Sequence, residues 1–239
     1  MESGLQGKVI AVTGASRGLG AALARALSAE GASLVLGSRS VNALEELAEE
    51  LGGAAVVECD VRRHEDLRKL VATAIDRHGR LDVMINNAGL AVYGPVEQIT
   101  PEQIDAMVDT NLKGLIFGCQ AAYDAMREAG SGHIVNISSI AGRLHLKNEA
   151  VYSATKWGVN GFTGALRLEG RRHGIKVTDV SPGGIATPFW DEQESPPFSS
   201  RVVPQRDFMR PEEVAQTVVQ VLKGSPGYTL QEVVMAPMF

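Results

Sequence analysis

The sequence of 239 residues predicts a single α/β domain, a doubly wound parallel sheet of seven strands with helices on both faces. Three observations predict it. Short apolar, β-branched runs alternate with longer stretches of helical periodicity. Most of these runs are continuously apolar rather than alternating, which marks strands buried on both faces and therefore parallel pairing through right-handed crossovers. The first run ends in a glycine-rich turn that opens an amphipathic helix. No linker or internal repeat divides the chain, and its length suits one large core.

The elements follow in order. Residues 8–14, KVIAVTG, form a first strand that stops at a glycine. The next stretch, RGLGAALARALSAEG, puts Leu19, Ala22, Leu23, Ala26 and Leu27 on one helical face, and Gly31 ends it. SLVLGSR is a second strand. VNALEELAEELGG is a helix with Asn42 near its start and glycines after its end. AAVVECDV is a third strand, HEDLRKLVATAIDRHG a helix, and LDVMINNAG a fourth strand. One long helical stretch then runs from TPEQIDAMVDTN through AAYDAMREAG. It opens with Thr100 as N-cap, Pro101 at the first position and Gln103 where a capping box needs it. GHIVNISS is a fifth strand, followed by the helix that begins near YSATK. IKVTDVSPG is a sixth strand. An irregular Pro/Ser segment, the helix PEEVAQTVVQVLKG and a last strand, LQEVVMAP, close the chain.

Composition narrows the function classes. The net charge is −5 with no long block of like charge, which argues against nucleic-acid binding. No apolar run approaches the ~18 residues of a membrane span. The N-terminal MESGLQGKVIAVTG lacks the basic and apolar regions of an export signal. Cys59 and Cys119 lie far apart without ligand spacing, so they read as two buried free thiols in a reducing compartment, and a cytoplasmic location is expected. No metal site is expected.

The turn TGASRGLG places Gly14, Gly18 and Gly20 between the first strand and the first helix. Glycines allow a tight turn and close approach of backbone to a pyrophosphate. The helix N-terminus adds unpaired N–H groups and partial positive charge. In a chain of βα units this predicts a Rossmann-type dinucleotide site. An NAD site usually carries an acid after the second strand for the ribose 2′-OH. Here Arg39 stands there, beside Ser38, and Arg17 lies in the glycine turn. Two guanidinium groups suit a 2′-phosphate, so the expected cofactor is NADP(H). Asp60, at the tip of the third strand, either accepts from the adenine amino group or caps its own turn.

In YSATK, Tyr152 and Lys156 stand four residues apart, so on a helix they share one face. A tyrosine hydroxyl ordinarily titrates near 10, too high for acid–base work near pH 7. A nearby ammonium favours the phenolate and is expected to pull that value down.

The chain resembles the short-chain dehydrogenase/reductase family over nearly its whole length. TGASRGLG, CDV, NNAG, TNLKG, IVNISS, YSATK and SPGGIATP occur in the family's order and approximate spacing. The arginine pair is similar to the NADP-preferring branch. The resemblance implies a catalytic acid/base at Tyr152 and a lysine at Lys156 that tunes it and binds the nicotinamide ribose. It implies a substrate-binding hydroxyl at Ser139, and at Asn111 an asparagine supporting a water chain to the lysine. Cofactor contacts are implied at Gly14, Ser16, Arg17, Gly18, Leu19, Gly20, Arg39, Asp60, Val61, Asn87, Ile185 and Thr187, besides Tyr152 and Lys156. Residues 187–208 correspond to a mobile substrate loop. The implied reaction is hydride transfer between a nicotinamide and a carbonyl of ketone, aldehyde or 3-oxoacyl type, or its reverse. Tyr152 would move the proton and Ser139 would stabilise the oxygen.

Several alternatives stay open. Ser138 is the active hydroxyl if the register slips by one, although neighbours on a strand face opposite ways and family spacing selects Ser139. His145 reads as a loop histidine, with a substrate contact as its alternative. Phe189, Trp190 and Phe198 form either an apolar lid or an anchor for the loop. The chain ends EVVMAPMF, without the glycine pair many relatives carry, so the assembly is less defined than the chemistry. Helices over 101–129 and 151–173 match the family's main dimer contact, and a homo-oligomer, tetramer or dimer, is expected. The partner is a small carbonyl or alcohol. The competing function is a non-catalytic dinucleotide-binding regulator or scaffold, against which the intact serine, tyrosine, lysine and asparagine set argues. A sugar-nucleotide epimerase would need a longer chain.

Overall fold

The computed structural model describes residues 4–191, 198–199, 201–225 and 227–238. Seven strands form one sheet: β1 (Val9–Thr13), β2 (Ser33–Ser38), β3 (Ala55–Glu58), β4 (Val83–Asn86), β5 (Gly132–Ile137), β6 (Ile175–Pro182) and β7 (Glu232–Met235). Their order is β3-β2-β1-β4-β5-β6-β7, and every pairing is parallel. β1 is fully buried, as its unbroken apolar run requires. In register it sets Val9 against Ser33 on one side and Ile10 against Val83 on the other. Asp82 fixes the start of this seam: one carboxylate oxygen accepts the Val9 amide at 2.9 Å while Lys8 and Arg80 hold the other.

Side chains alternate across the sheet and build two cores. Ile10 and Val12 pack under α1 (Gly18–Ala29), α2 (Val41–Glu50) and, later in the chain, the helix Pro211–Leu222. Val9 and Ala11 pack on the other face under α3 (His64–His78) and the helices of the second half. Both cysteines are buried and unpaired in this second core.

The predicted long helix from residue 101 is interrupted. α4 (Pro101–Met107) carries the expected capping box, with the Gln103 amide on Thr100 Oγ1 and the Thr100 amide on Gln103 Oε1. A seven-residue π-helical segment, Val108–Gly114, follows before α5 (Leu115–Ala129). Its last residue packs closely on the chain just beyond β3, since a Cβ on Gly114 would meet Val61 Cγ2 at 2.8 Å. α6 (Ala150–Gly170) carries Tyr152 and Lys156. A short helix, α7 (Pro204–Asp207), stands inside the segment expected to be irregular, and α8 is Pro211–Leu222.

Candidate active site

The strand order reverses between β1 and β4, whose onward connections leave in opposite directions. A crevice forms at such a point, beyond the carboxyl ends of the strands. Here it is a cleft of about 720 Å³ that gathers the ends of β1, β2, β3, β4, β5 and β6. Every predicted site residue lines it except Asn111.

One end is built by the glycine turn. Gly14 and Gly18 take φ of 63° and 54°, the left-handed region that glycine alone enters without cost. A Cβ on Gly20 would stand 2.1 Å from the Gly14 carbonyl oxygen, so any side chain there would push the turn open. α1 starts at Gly18 with no side-chain cap and no acid in its first turn, leaving its dipole uncompensated by the chain itself. Asn87 ties this turn to β4: its side-chain amide donates to Thr13 O at 2.9 Å and Gly14 O at 3.2 Å. Ser38 Oγ donates to Ser16 Oγ at 2.9 Å, joining the end of β2 to the same turn. Arg17 and Arg39 are exposed at this rim. Asp60 caps its own turn, accepting the Arg62 amide at 3.0 Å and pairing with the Arg62 guanidinium, which holds its carboxyl below the ordinary range. Thr187 lies over Gly18, 3.4 Å from where a Cβ would be, and Leu19 and Val61 are buried beneath the rim. Ile185 bridges to Met209.

At the other end β5 runs out into Ser138 and Ser139. Extended neighbours face opposite ways. Ser138 turns inward and donates to Asn160 Oδ1 at 2.6 Å, whereas Ser139 Oγ faces the cleft, accepts the Ala141 amide at 3.1 Å and exerts a downward pull on the Tyr152 phenol. Tyr152 and Lys156 sit one helical turn apart on the buried face of α6. Lys156 Nζ donates to Ile137 O at 3.1 Å and lies 5.7 Å from the Tyr152 ring centre. Burial pushes the Tyr152 phenol up to about 12, against the downward pull of Ser139, and brings the Lys156 ammonium down to about 8. The expected lowering of the phenol by the ammonium does not appear; Ser139 is what pulls it down, and burial with the Glu149 charge prevails. Both groups are withdrawn from water, and desolvation drives each toward its neutral form.

Asn111 lies behind the cleft wall. The π segment turns it toward the loop after β4, where its side chain accepts the Leu90 amide at 2.9 Å and donates to Leu90 O at 2.8 Å. It also donates to Thr155 Oγ1 at 3.2 Å, and that hydroxyl donates to Tyr152 O at 2.7 Å. A Cβ on Gly89 would fall 3.4 Å from Asn111 Oδ1 and 3.7 Å from Lys156 Nζ, so both side chains approach Gly89.

His145 packs edge-on against Trp157, outside the cleft. Trp190 donates to Ile185 O at 2.7 Å, stacks on Tyr93 at 5.8 Å and meets Phe208, which anchors this part of the loop to the body. Of the predicted substrate loop 187–208, residues 192–197 and 200 lie outside the described residues. Two cleft residues, Tyr93 and Glu149, carried no sequence signal, because each stands in or next to a loop without periodicity. Among the described residues no group of His, Cys, Asp or Glu is arranged to hold a metal, and no helix is long and apolar enough to cross a membrane.

A family model described as short chain dehydrogenase matches residues 8–197. The chain is 35% identical to an uncharacterized oxidoreductase of Staphylococcus epidermidis over 232 residues, 97% of each chain. It is 39% identical to L-fucose dehydrogenase of Oryctolagus cuniculus over 187 residues, 78% of this chain and 66% of that one. Among solved structures it is similar to an alcohol dehydrogenase from the archaeon Thermococcus sibiricus complexed with 5-hydroxy-NADP (TM-score 0.86, 28% identity, 96% of each chain). A metagenomic short-chain oxidoreductase in complex with NADP gives a TM-score of 0.82 at 33% identity over 99% of each chain.

Proposed function

Because the chain belongs to the short-chain dehydrogenase family, we propose that it is an NADP(H)-dependent oxidoreductase. It interconverts a carbonyl, of ketone, aldehyde or 3-oxoacyl type, and the corresponding alcohol, with Tyr152 as acid/base. One observation carries the reading: a buried phenol, sharing the cleft wall with Ser139 and one turn from Lys156, opens into the same cleft as an uncapped helix N-terminus behind a glycine turn.

The residues present fit a dinucleotide. The glycines of the turn leave a cradle that side chains would fill, and the first turn of α1 offers it amides. Arg17 and Arg39, with no acid at the end of β2, match the chemistry of a 2′-phosphate. The complexes of two structural relatives with NADP and a 5-hydroxy-NADP support the same choice. Asn87, Val61, Ile185 and Thr187 complete the proposed lining. When bound, the nicotinamide coenzyme supplies or accepts the hydride. Tyr152 gives its proton to the carbonyl oxygen as that oxygen takes up the electron pair, and Ser139 donates a hydrogen bond to the same oxygen. Lys156, anchored on Ile137 O, keeps a cation beside the phenol. Asn111 is a positioning residue, bracing Leu90 and Thr155 around that pair.

NADPH oxidation across a panel of ketones, aldehydes and 3-oxoacyl thioesters tests the reading. Tyr152→Phe is expected to lose at least ~1000-fold in turnover, in keeping with loss of a positioned proton donor, while NADPH binding, read by fluorescence, persists. Near wild-type turnover in that variant would remove the assigned role.

The proposal includes a homo-oligomer. An apolar groove lined by Ile104, Val108, Leu112, Val151 and Ala154 runs between the residue 101–114 stretch and α6, and Trp157 and Leu168 are exposed on α6. A second copy is the proposed occupant of this face. The two buried, unpaired thiols support a reducing compartment such as the cytoplasm.

A further inference from the structure

Glu149 stands where the chain enters α6. Asn148 takes a left-handed φ of 64°, which asparagine tolerates better than most residues, and its carbonyl accepts the Gly94 amide at 2.9 Å. This turn sets Glu149 into the cleft wall three residues before Tyr152, one helical turn away and so within ~6 Å between Cβ atoms. Glu149 is only 8% exposed. Its carboxyl makes no cap bond to the helix and has no hydrogen bond or ion pair among the described residues. The titratable groups that feel its charge are the Tyr93 and Tyr152 phenols, and each is pushed up by it. Leu90, Leu146, Phe189 and Trp190 are among the apolar side chains of the cleft, which Ser139 and Lys156 also line.

A role confined to the helix N-terminus does not account for this. The gain from an acid at a helix N-terminus is small, and withdrawing a carboxylate from water without a partner outweighs it. Burial accordingly raises the Glu149 carboxyl to about 7, with no cation to hold it down. Lys156 is the cation at this end of the cleft, but it is held on Ile137 O and does not pair with Glu149, so a ligand can supply the partner that the carboxyl lacks. The Tyr93 and Trp190 rings, stacked at 10° and 5.8 Å between centres, give the cleft a packed aromatic wall.

We propose that Glu149 is the specificity-determining residue of this site, selecting carbonyl or alcohol substrates that carry an ammonium group one or two carbons from the reacting carbon on an otherwise apolar frame. This rests on the oxidoreductase reading and names its substrate class. A neutral hydroxyl would satisfy the oxygen atoms of Glu149 but would leave its charge uncompensated.

Three ketones of similar shape test it: 3-aminopropiophenone, 3-hydroxypropiophenone and butyrophenone. With NADPH, the expected order of kcat/KM is amine, then hydroxyl, then alkyl, with the amine about tenfold or more above butyrophenone. Glu149→Gln is expected to collapse that ratio, mainly through KM, and Glu149→Asp to retain part of it. A wild-type protein that treats the three alike or prefers the hydroxyl overturns the proposal, as does a ratio unchanged in Glu149→Gln. Binding of the same ketones to NADP⁺-loaded protein, read by tryptophan fluorescence, decides the question without turnover. Tighter binding of the amine that is lost in Glu149→Gln supports the proposal, and equal affinities overturn it. Absence of turnover with all three would count against the oxidoreductase reading alone.

Discussion

Tyr152 and Lys156 show how burial reverses an expectation that is sound in water. With the phenol near 12 and the ammonium near 8, the resting pair at pH 7 is a neutral donor beside a cation. Carbonyl reduction uses that form directly. We expect its rate to hold below pH 8 and to fall as Lys156 loses its proton above it, whereas alcohol oxidation, which needs the phenolate, should climb with pH. Initial rates in both directions check this. Glu149 gives a stability prediction. Its folded value is raised from 4.5 to about 7, so its contribution is full below pH 4.5 and is lost as pH rises through 7. Glu149→Gln should therefore match the wild type near pH 4 and exceed it by about 1–2 kcal/mol at pH 8, solvent screening in the cleft allowed for, measured by urea unfolding of the cofactor-free protein. At the rim, Arg39→Ala should weaken NADPH about tenfold and NADH far less, read by calorimetry, because one charge-assisted bond is lost. The catalytic candidates were legible because helix and strand periods fix which neighbours share a face, as in Tyr152 with Lys156 and Ser139 against Ser138. Tyr93 and Glu149 were not, since they meet only after separate loops converge.

At the level of elements, local rules read well where they are local. The capping box at Thr100 and the buried run of β1 formed as expected. The break in the long helix did not show, because a π segment changes the hydrogen-bond step without changing the residue types that favour helix. Its effect is to present Asn111 to Leu90 and Thr155. Asn111→Ala would leave the half-buried Leu90 amide and carbonyl without their partner. We expect a loss of about 2 kcal/mol in urea unfolding, with turnover falling further than cofactor affinity.

For the molecule as a whole, alternation and apolar runs announced a parallel seven-stranded sheet, and the order found puts β4 at its centre with β1 beside it. Which residues cover the outer face of α6 was not legible, since Trp157 and Leu168 satisfy a helical pattern whether they meet solvent or another chain. Light scattering should give a multiple of 25.4 kDa, and Ala154→Arg in the apolar groove should return the single-chain mass.

The reversal of strand order beside β1 also leaves the sheet with a seam, β3-β2-β1 on one side and β4 to β7 on the other. The Asp82 clasp closes only its lower end. Whatever lies in the upper crevice touches both halves at once and acts as a rivet. Saturation at a hundred times Kd should add about 2.7 kcal/mol, a rise of roughly 5–10 °C in melting temperature. Because the rivet spans the seam, both halves should melt later together, in one sharper calorimetric transition.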